Sequence, residues 1–346
     1  MPELPEVETI RRGLKPLQGR RIASAEFGLP RLILGAKAGE LARRLGGQHV
    51  NAILRRGKYL ILELDADSLV FHLGMTGQVT YAPVQAVEDA RFIRTVTGLQ
   101  KAVGVHPVDA HTHAILHLEG GDRVQFRDPR TFGKIIFIPG PDWKNHARIR
   151  KLGDEPLDLK IEPFLKKNFP TNSRRSIKAL LLDQSFLAGV GNIYADEALF
   201  ASGIHPKKSV HLVKAAERTR LLEAVKDVLR KGIKYQGTTF SDYRKPDGSN
   251  GSNFERLRVY GRGGKPCRTC GTMLVKTLVA QRGTVFCPQC QPLASATLSQ
   301  RNTNLEKSKR DTKKVPMAER SRSHRPTGKK RAILKSADKV SQRAHN

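Results

Sequence analysis

Four cysteines stand close together near the C-terminal end of the chain. They form two Cys-x-x-Cys pairs, CRTC and CPQC, separated by sixteen residues, and no other cysteine occurs in the 346 residues. Two such knuckles at this separation place four thiolates around a tetrahedral zinc ion, and four protein ligands close a structural site. The alternative is two redox-active thiol pairs. We predict one structural Zn²⁺ bound by Cys267, Cys270, Cys287 and Cys290.

A second group of reactive residues stands at the N-terminus, which reads MPELPEVETI. Methionine is generally removed before a residue as small as proline, and its removal would give Pro2 a secondary α-amine. An α-amine has a pKa of about 7.7–8.0 against about 10.4 for lysine, so roughly a tenth of it is unprotonated at pH 7. Such an amine is a nucleophile without burial. Its attack on a sugar C1′ gives an iminium ion, which favours loss of phosphate by β-elimination.

Two carboxylates, Glu3 and Glu6, follow this proline directly. One of them could protonate an opening sugar ring and move protons to and from the amine. The alternative is structural, because acidic residues in a first helical turn complement the helix dipole.

The charge balance indicates a nucleic-acid partner. Lysine and arginine number 62 against 32 acidic residues, which gives a net charge of +30. A surplus of this size is the electrostatic footprint of nucleic-acid binding. The first thirty residues carry charges throughout, and no apolar run approaches the roughly 20 residues needed to span a bilayer. We expect a soluble intracellular chain without a membrane partner.

The periodicity of the apolar residues changes along the chain and defines its parts. Residues 3–18 have helical spacing, 20–138 have the period of two typical of antiparallel strands, and 82–110 interrupt that pattern as a long loop. Helical spacing returns over 161–232, and a Gly/Ser/Asn-rich stretch at 235–255 indicates a flexible loop.

These patterns predict an α+β multidomain protein. The expected parts are an N-terminal β-sandwich with a leading helix (1–140), a linker (141–156), a helical domain (157–260), a zinc finger (261–292) and a disordered basic tail (293–346).

The N-terminal run PELPEVETIRRGL resembles the N-terminus of the formamidopyrimidine-DNA glycosylases, bacterial base-excision enzymes for oxidised purines. The resemblance continues in order through RRGKYLILEL, HLGMTG, DPRTFG, LGDEPL, GVGNIYADEALFASGIHP, YGRGGKPC and AQRGTVFC. It covers about 1–292 except the 82–110 loop. The PELPE form is more similar to this family than to endonuclease VIII, its pyrimidine-directed relative.

The resemblance implies catalytic roles for four residues. Pro2 corresponds to the nucleophile, Glu3 to the catalytic acid, and Glu6 to a second acid that helps to place the amine. Lys58, in the RRGKYL turn, corresponds to a lysine that contacts phosphate near the lesion and is implicated in catalysis. Without the resemblance, a solvated hairpin lysine would be an equally ordinary interpretation.

The resemblance also implies DNA contacts and a domain type. Asn192 lies in the turn of a helix–two-turn–helix element and grips phosphate together with Arg282 of the zinc finger, while His72 contacts the DNA backbone. Met75, Arg130 and Phe132 would enter the duplex where the lesion base is everted, although periodicity alone favours core positions for Met75 and Phe132. The following residues match the loop that closes over that base: Gly237, Thr238 and Thr239.

Several features depart from the family pattern. Thr131 stands where the family often has a second arginine, which would weaken one phosphate contact. The 82–110 loop is longer than usual, and we expect its histidines, His106, His111 and His113, to be solvated or on a strand face. The basic tail is additional and would add salt-sensitive DNA affinity. Tyr194 and Asp196 are expected to pack or to cap a helix.

The sequence therefore predicts a monomeric, cytoplasmic, nucleoid-associated glycosylase and AP lyase. Its partner would be double-stranded DNA that contains oxidised purines or abasic sites. Two alternatives remain at this point: the same chemistry on oxidised pyrimidines, and a damaged-DNA binding protein that has lost catalysis.

Overall fold

The structure, a computed structural model, describes residues 1–84, 108–240 and 242–293, so most of the predicted 82–110 loop and almost all of the tail lie outside the described residues.

The first helix, α1 (Leu4–Gly13), is shorter than the predicted 3–18. Pro16 disfavours helical geometry at Lys15, and the chain continues as a single 3-10 turn, Lys15–Leu17.

Two facing sheets form the N-terminal domain. Their strands are β1 (Ile22–Phe27), β2 (Ile33–Leu34), β3 (Val50–Arg56), β4 (Tyr59–Leu64), β5 (Asp67–His72), β6 (Gln78–Ala82), β7 (Thr112–Leu118), β8 (Arg123–Arg127) and β9 (Lys134–Pro139). One sheet has the order β1-β7-β8-β6 and the other β2-β9-β5-β4-β3. Phe71 and Phe126 join the two inner faces with ring centroids 5.7 Å apart. The predicted β-sandwich is confirmed, with the correction that β2 pairs with β9 in parallel.

A short helix, α2 (Ala38–Leu45), interrupts the region for which we predicted strands only. Leu41 and Leu45, one helical turn apart, are both buried in the sandwich core. Two turns are too short for their periodicity to stand out from the surrounding strands.

The second domain is helical: α3 (Ile161–Asn168), α4 (Ile177–Leu182), α5 (Asn192–Ala201) and α6 (Ala215–Lys234). Its core includes Leu180, Leu199 and Leu221 together with Leu4 of α1. Because Val7 and Ile10 of α1 lie instead in the sandwich core, α1 is shared by the two domains. None of the helices in the described ranges is both long and apolar enough to cross a membrane.

The zinc-finger segment contains a hairpin of β10 (Val275–Val279) and β11 (Arg282–Phe286). Its two turn residues, Ala280 and Gln281, have φ of 50° and 56°, the left-handed values of a type I′ turn. Leu274 and Val285 pack against Phe200 of α5, so the finger is seated on the helical domain.

Candidate active site

The carboxylate of Glu3 lies at the N-terminus of α5. It accepts backbone N–H groups from Gly191 at 2.8 Å, Ile193 at 2.9 Å and Tyr194 at 3.4 Å. Helix N-termini offer such unpaired donors to anions. A Cβ at position 191 would lie 2.4 Å from Cδ of Glu3, so only glycine permits this contact. Glu3 is also the N-cap residue of α1, with Glu6 in the first turn, so the dipole interpretation applies to two helix N-termini at once.

Glu6 is buried one turn along α1 and links three segments. Its carboxylate accepts the backbone N–H of Glu3 at 2.9 Å, the Tyr194 hydroxyl at 2.8 Å and the backbone N–H of Thr238 at 2.7 Å. Burial, with the nearby charge of Glu3, raises the pKa of Glu6 to about 7. Tyr194, which we expected only to pack, thus connects this carboxylate to the predicted lesion loop.

Met1 lines a cavity of about 420 Å³ at the junction of the two domains, and Pro2 is buried beside it. Lys58, His72 and Arg148 line the same cavity. Burial lowers the pKa of Lys58, against the opposing charges of Glu3 and Glu6. Burial, followed by the charges of Lys58 and Arg148, lowers the pKa of His72 to about 4. His72 is therefore neutral at pH 7, and the cavity is lined by more basic than acidic side chains, namely Lys58, Arg148 and Lys151 against Asp183.

The hairpin that carries Lys58 is held by one carboxylate, Glu155. It binds Arg55 at 2.8 Å, Arg56 at 3.2 Å and the backbone N–H of Gly57 at 2.6 Å. Glu155 belongs to the LGDEPL motif, to which our sequence analysis assigned no role. The partners are about one hundred residues apart, so no local pattern marks the interaction.

The helical domain and the zinc hairpin meet at Asn192 and Gly283. The amide of Asn192 donates to the carbonyl of Gly283 at 2.9 Å, which places Asn192 beside the exposed Arg282. Below them Lys178 and Asp196, both buried, form an ion pair of 2.6 Å. Asp196 also accepts the backbone N–H of Val285 at 3.1 Å, so it braces the finger rather than capping a helix.

The four cysteines converge as predicted. Their sulfur atoms all lie within 4.8 Å of one another, and the four residues come from the two knuckles on either side of the hairpin. Neighbouring Sγ atoms are 3.5 Å apart in the Cys270–Cys287 pair and 4.0 Å apart in the Cys267–Cys290 pair. A tetrahedral set of thiolates at this spacing fits one Zn²⁺ and leaves no ligand position for substrate.

Met75 and Phe132 are exposed, at 41% and 53%, which excludes the core interpretation. They lie on two loops joined by buried Asp128, whose carboxylate accepts the Thr76 hydroxyl and the backbone N–H of Gly133. The guanidinium of Arg130 lies over the Phe132 ring at 5.1 Å. The three predicted DNA-inserting residues therefore project from one braced surface.

Two features that depart from the family pattern, Thr131 and the histidines near the 82–110 loop, have the following surroundings in the structure. Thr131 has φ 55°, and its hydroxyl accepts from the exposed Arg31 at 3.1 Å, so a guanidinium lies beside this loop although the second arginine is absent. His113 is buried, and its Nε2 lies 3.0 Å from the carbonyl oxygen of Asp128. His111 is exposed, and His106 lies outside the described residues.

The predicted lesion loop, whose residue 241 lies outside the described residues, makes several hydrogen bonds of its own. Gly237, at φ 85°, donates its N–H to the carbonyl of Gly232 and ends α6. The hydroxyl of Thr239 donates to the Tyr243 carbonyl at 3.1 Å and accepts the N–H of Gly251 at 2.9 Å. The hydrogen bonds of Thr239 thus connect two parts of the loop with each other, and the N–H of Thr238 binds the loop to Glu6.

Three family models match consecutive parts of this chain. The formamidopyrimidine-DNA glycosylase N-terminal domain matches residues 1–135, its H2TH domain matches 152–244, and a zinc finger found in FPG and IleRS matches 264–293. These segments contain the two sheets except the end of β9, the helices around Glu3 and the four cysteines.

Individual proteins match over the same length. Formamidopyrimidine-DNA glycosylase of Herpetosiphon aurantiacus is 40% identical over 297 residues, which is 84% of this chain and 100% of the relative. Lactococcus lactis Fpg, solved with DNA containing an abasic site, has a TM-score of 0.72 at 32% identity. The same enzyme with DNA containing an oxidised pyrimidine has a TM-score of 0.71 at 33% identity. Both structures cover 84% of this chain and 100% of their own.

Proposed function

The chain belongs to the formamidopyrimidine-DNA glycosylase family and is a DNA glycosylase of base-excision repair; we propose that it removes 8-oxoguanine and formamidopyrimidines paired with cytosine. We propose further that it then cleaves the strand at the resulting abasic site by successive β- and δ-elimination. Because it resembles bacterial proteins, we propose that it acts in the cytoplasm, at the nucleoid. We propose that it binds duplex DNA as a monomer.

One observation carries this proposal: the first residue of the chain lines an interdomain cavity with basic side chains, and two buried carboxylates, Glu3 and Glu6, follow within five residues. Met1 lines this cavity beside Lys58, and the charges of buried Glu3 and Glu6 act on Lys58. Removal of Met1 would give the amine of Pro2 access to the same space. A purely structural N-terminus would have no need of a cationic cavity or of a buried acid whose pKa is about 7.

The proposed chemistry proceeds through a covalent intermediate. The Pro2 nitrogen attacks C1′ of the damaged nucleotide, and the bond from C1′ to the base breaks with its electron pair on the base, which takes up a proton from water. The carboxylate of Glu3 accepts the proton that the Pro2 nitrogen loses. Glu3 protonates the ring oxygen O4′ as the sugar opens, which leaves an iminium ion between Pro2 and C1′. The iminium withdraws electrons from C2′, so loss of a C2′ proton expels the 3′ phosphate. A second elimination expels the 5′ phosphate.

DNA would be held along the cationic side of the interdomain cleft. Lys58, Asn192 and Arg282 are proposed to contact phosphates around the lesion, with His72 beside them. Met75 and Phe132 would fill the gap left by the everted base, and Arg130 would read the cytosine opposite. The exposure of both apolar side chains supports this role, since an apolar side chain in a folded core could not reach DNA.

Oxidised pyrimidines are the second candidate substrate. The Lactococcus lactis relative has been solved with DNA containing an oxidised pyrimidine. Single-turnover excision from 8-oxoguanine:cytosine and thymine-glycol:adenine duplexes separates the two candidates. Faster excision of thymine glycol would replace the purine assignment.

Borohydride trapping tests the covalent mechanism. Reduction of the iminium during turnover would leave a stable protein–DNA adduct that peptide mapping places on Pro2, and the intact mass would lack the initiator methionine. A protein that only binds damaged DNA would give no adduct. Retention of Met1 in active enzyme would exclude Pro2 as the nucleophile.

A further inference from the structure

Two large aromatic side chains are exposed next to the lesion loop. Phe240, which directly follows Thr239, is 60% exposed, and Phe254 is 43% exposed. Their ring centroids are 5.3 Å apart, and the ring planes meet at 74°. This edge-to-face pair is favourable in itself, but it leaves much of both rings in water. Neither residue belongs to the motifs that carry the family resemblance.

The backbone beneath the two rings is firmly held. Thr238, two residues before Phe240, donates its N–H to Glu6. Asn253, the residue before Phe254, donates its side-chain amide to the Thr238 hydroxyl at 2.8 Å and its N–H to the Gly237 carbonyl at 3.1 Å. The two rings therefore project from a backbone that is hydrogen-bonded to Glu6 and to itself.

A third ring extends the pair toward the catalytic acid. Tyr260 lies 6.2 Å from Phe240, centroid to centroid, at 77°. Burial raises the pKa of Tyr260, and the negative charge of Glu3 acts in the same direction. At the next residue, Gly261, a Cβ would lie 3.0 Å from the Phe240 ring. The absence of a side chain there lets Phe240 rest against the backbone.

We propose that Phe240, supported edge-on by Phe254, is a stacking surface for the everted base and so contributes to substrate specificity. This inference rests on the proposed function. A flipped base is commonly held against aromatic or apolar side chains, and an aromatic face accepts any planar base. The loop that carries Phe240 is the one proposed to close over that base. Its aromatic ring adds a contact that backbone N–H groups cannot supply.

Single-turnover kinetics on two substrates test the stacking role. Base excision is measured on the lesion duplex that the wild-type enzyme cleaves, and strand cleavage is measured on a duplex with a preformed abasic site, which has no base to stack. Phe240→Ala should lower the ratio of excision to abasic-site cleavage about tenfold, as expected for the loss of one base–aromatic contact. Phe240→Tyr should restore the ratio, and Phe240→Leu should restore it only in part.

Leu212→Ala is the matched control, since Leu212 is a comparably exposed apolar residue remote from these contacts and both rates should stay unchanged. The inference is overturned if Phe240→Ala keeps the wild-type ratio, if both rates fall together, or if leucine restores the ratio completely. Absence of excision by the wild-type enzyme is a different outcome, because it would refute the proposed function.

Discussion

The carboxylate of Glu3 and the backbone N–H of Ile193 are joined by a 2.9 Å hydrogen bond across 190 residues of sequence. This bond places the proposed catalytic acid at the N-terminus of a helix in the other domain. The start of the chain is thus positioned by the helical domain, and the Glu3 carboxylate is held in place without DNA.

Substitution Glu3→Gln should abolish base excision while DNA binding persists. The amide cannot deliver a proton to O4′, and loss of a general acid costs about 10²–10⁴-fold in rate. Excision is measured under single turnover and lesion affinity by a gel-shift titration. Glu40→Gln, on the exposed side of α2, is the control with unchanged rates. Full excision by Glu3→Gln would remove the acid assignment.

Glu6 should make folding stability depend on pH in a defined window. Its pKa is about 7 in the folded protein against 4.5 ordinarily, so the folded state favours the protonated form. The stability that this gives is fully present below about pH 4.5 and is lost as the pH rises through about 7, by about 3 kcal/mol at roughly 1.36 kcal/mol per pKa unit.

Urea unfolding between pH 4.5 and 8 measures this loss. Glu6→Gln has no titrating group at this position, so its free energy of unfolding should fall less steeply with pH than that of the wild type. Equal slopes for both proteins would show that the carboxylate titrates normally.

Removing one charge of the buried Lys178–Asp196 ion pair should destabilise the protein more than removing both charges together. Lys178→Met leaves an unpartnered buried carboxylate and should cost about 3–5 kcal/mol in the free energy of unfolding. Adding Asp196→Asn removes that charge and keeps an acceptor for Val285, so the double variant should recover much of the loss. Arg230→Met, which breaks an exposed ion pair with Asp227, is the control and should cost under about 1 kcal/mol. A loss of less than 1 kcal/mol in Lys178→Met would contradict the assignment.

Zinc removal should abolish DNA binding without unfolding the sandwich. A chelator that takes the ion from the four thiolates releases the hairpin and, with it, Arg282. The only tryptophan, Trp143, packs against the outer face of the second sheet and donates to Glu63, so its fluorescence reports on the N-terminal domain separately. We expect one zinc released per chain, loss of affinity and unchanged Trp143 emission. Retained affinity after complete chelation would show that the finger is dispensable.

The sequence predicted those parts of the site whose residues lie close together in the chain. The four zinc ligands fall within 24 residues, so their spacing alone identifies the site. The order of long motifs predicted the sandwich, the helical domain and the finger. The short helix α2 was missed because two turns give too little periodicity.

The hydrogen bonds and ion pairs that hold the site residues in place could not be predicted, because each of them joins segments that are distant in the sequence. Glu155 reaches Arg55, and Lys178 reaches Thr284 as well as Asp196. Asp128 braces the loop of Met75 across 52 residues. A period of two cannot tell a loop methionine from a core methionine, so exposure became evident only in three dimensions.

The single carboxylate of Glu155 has a mechanical consequence. It fastens the tip of the β3–β4 hairpin to the segment that leads into the helical domain, while α1 fastens the same two domains a second time through both cores. A hinge motion between the domains would have to break the Glu155 contacts or disturb the packing of α1 in one of the two cores. We therefore expect the cleft to keep its width when DNA binds. A duplex that bends easily at a damaged base pair would then be accommodated more readily than an intact one.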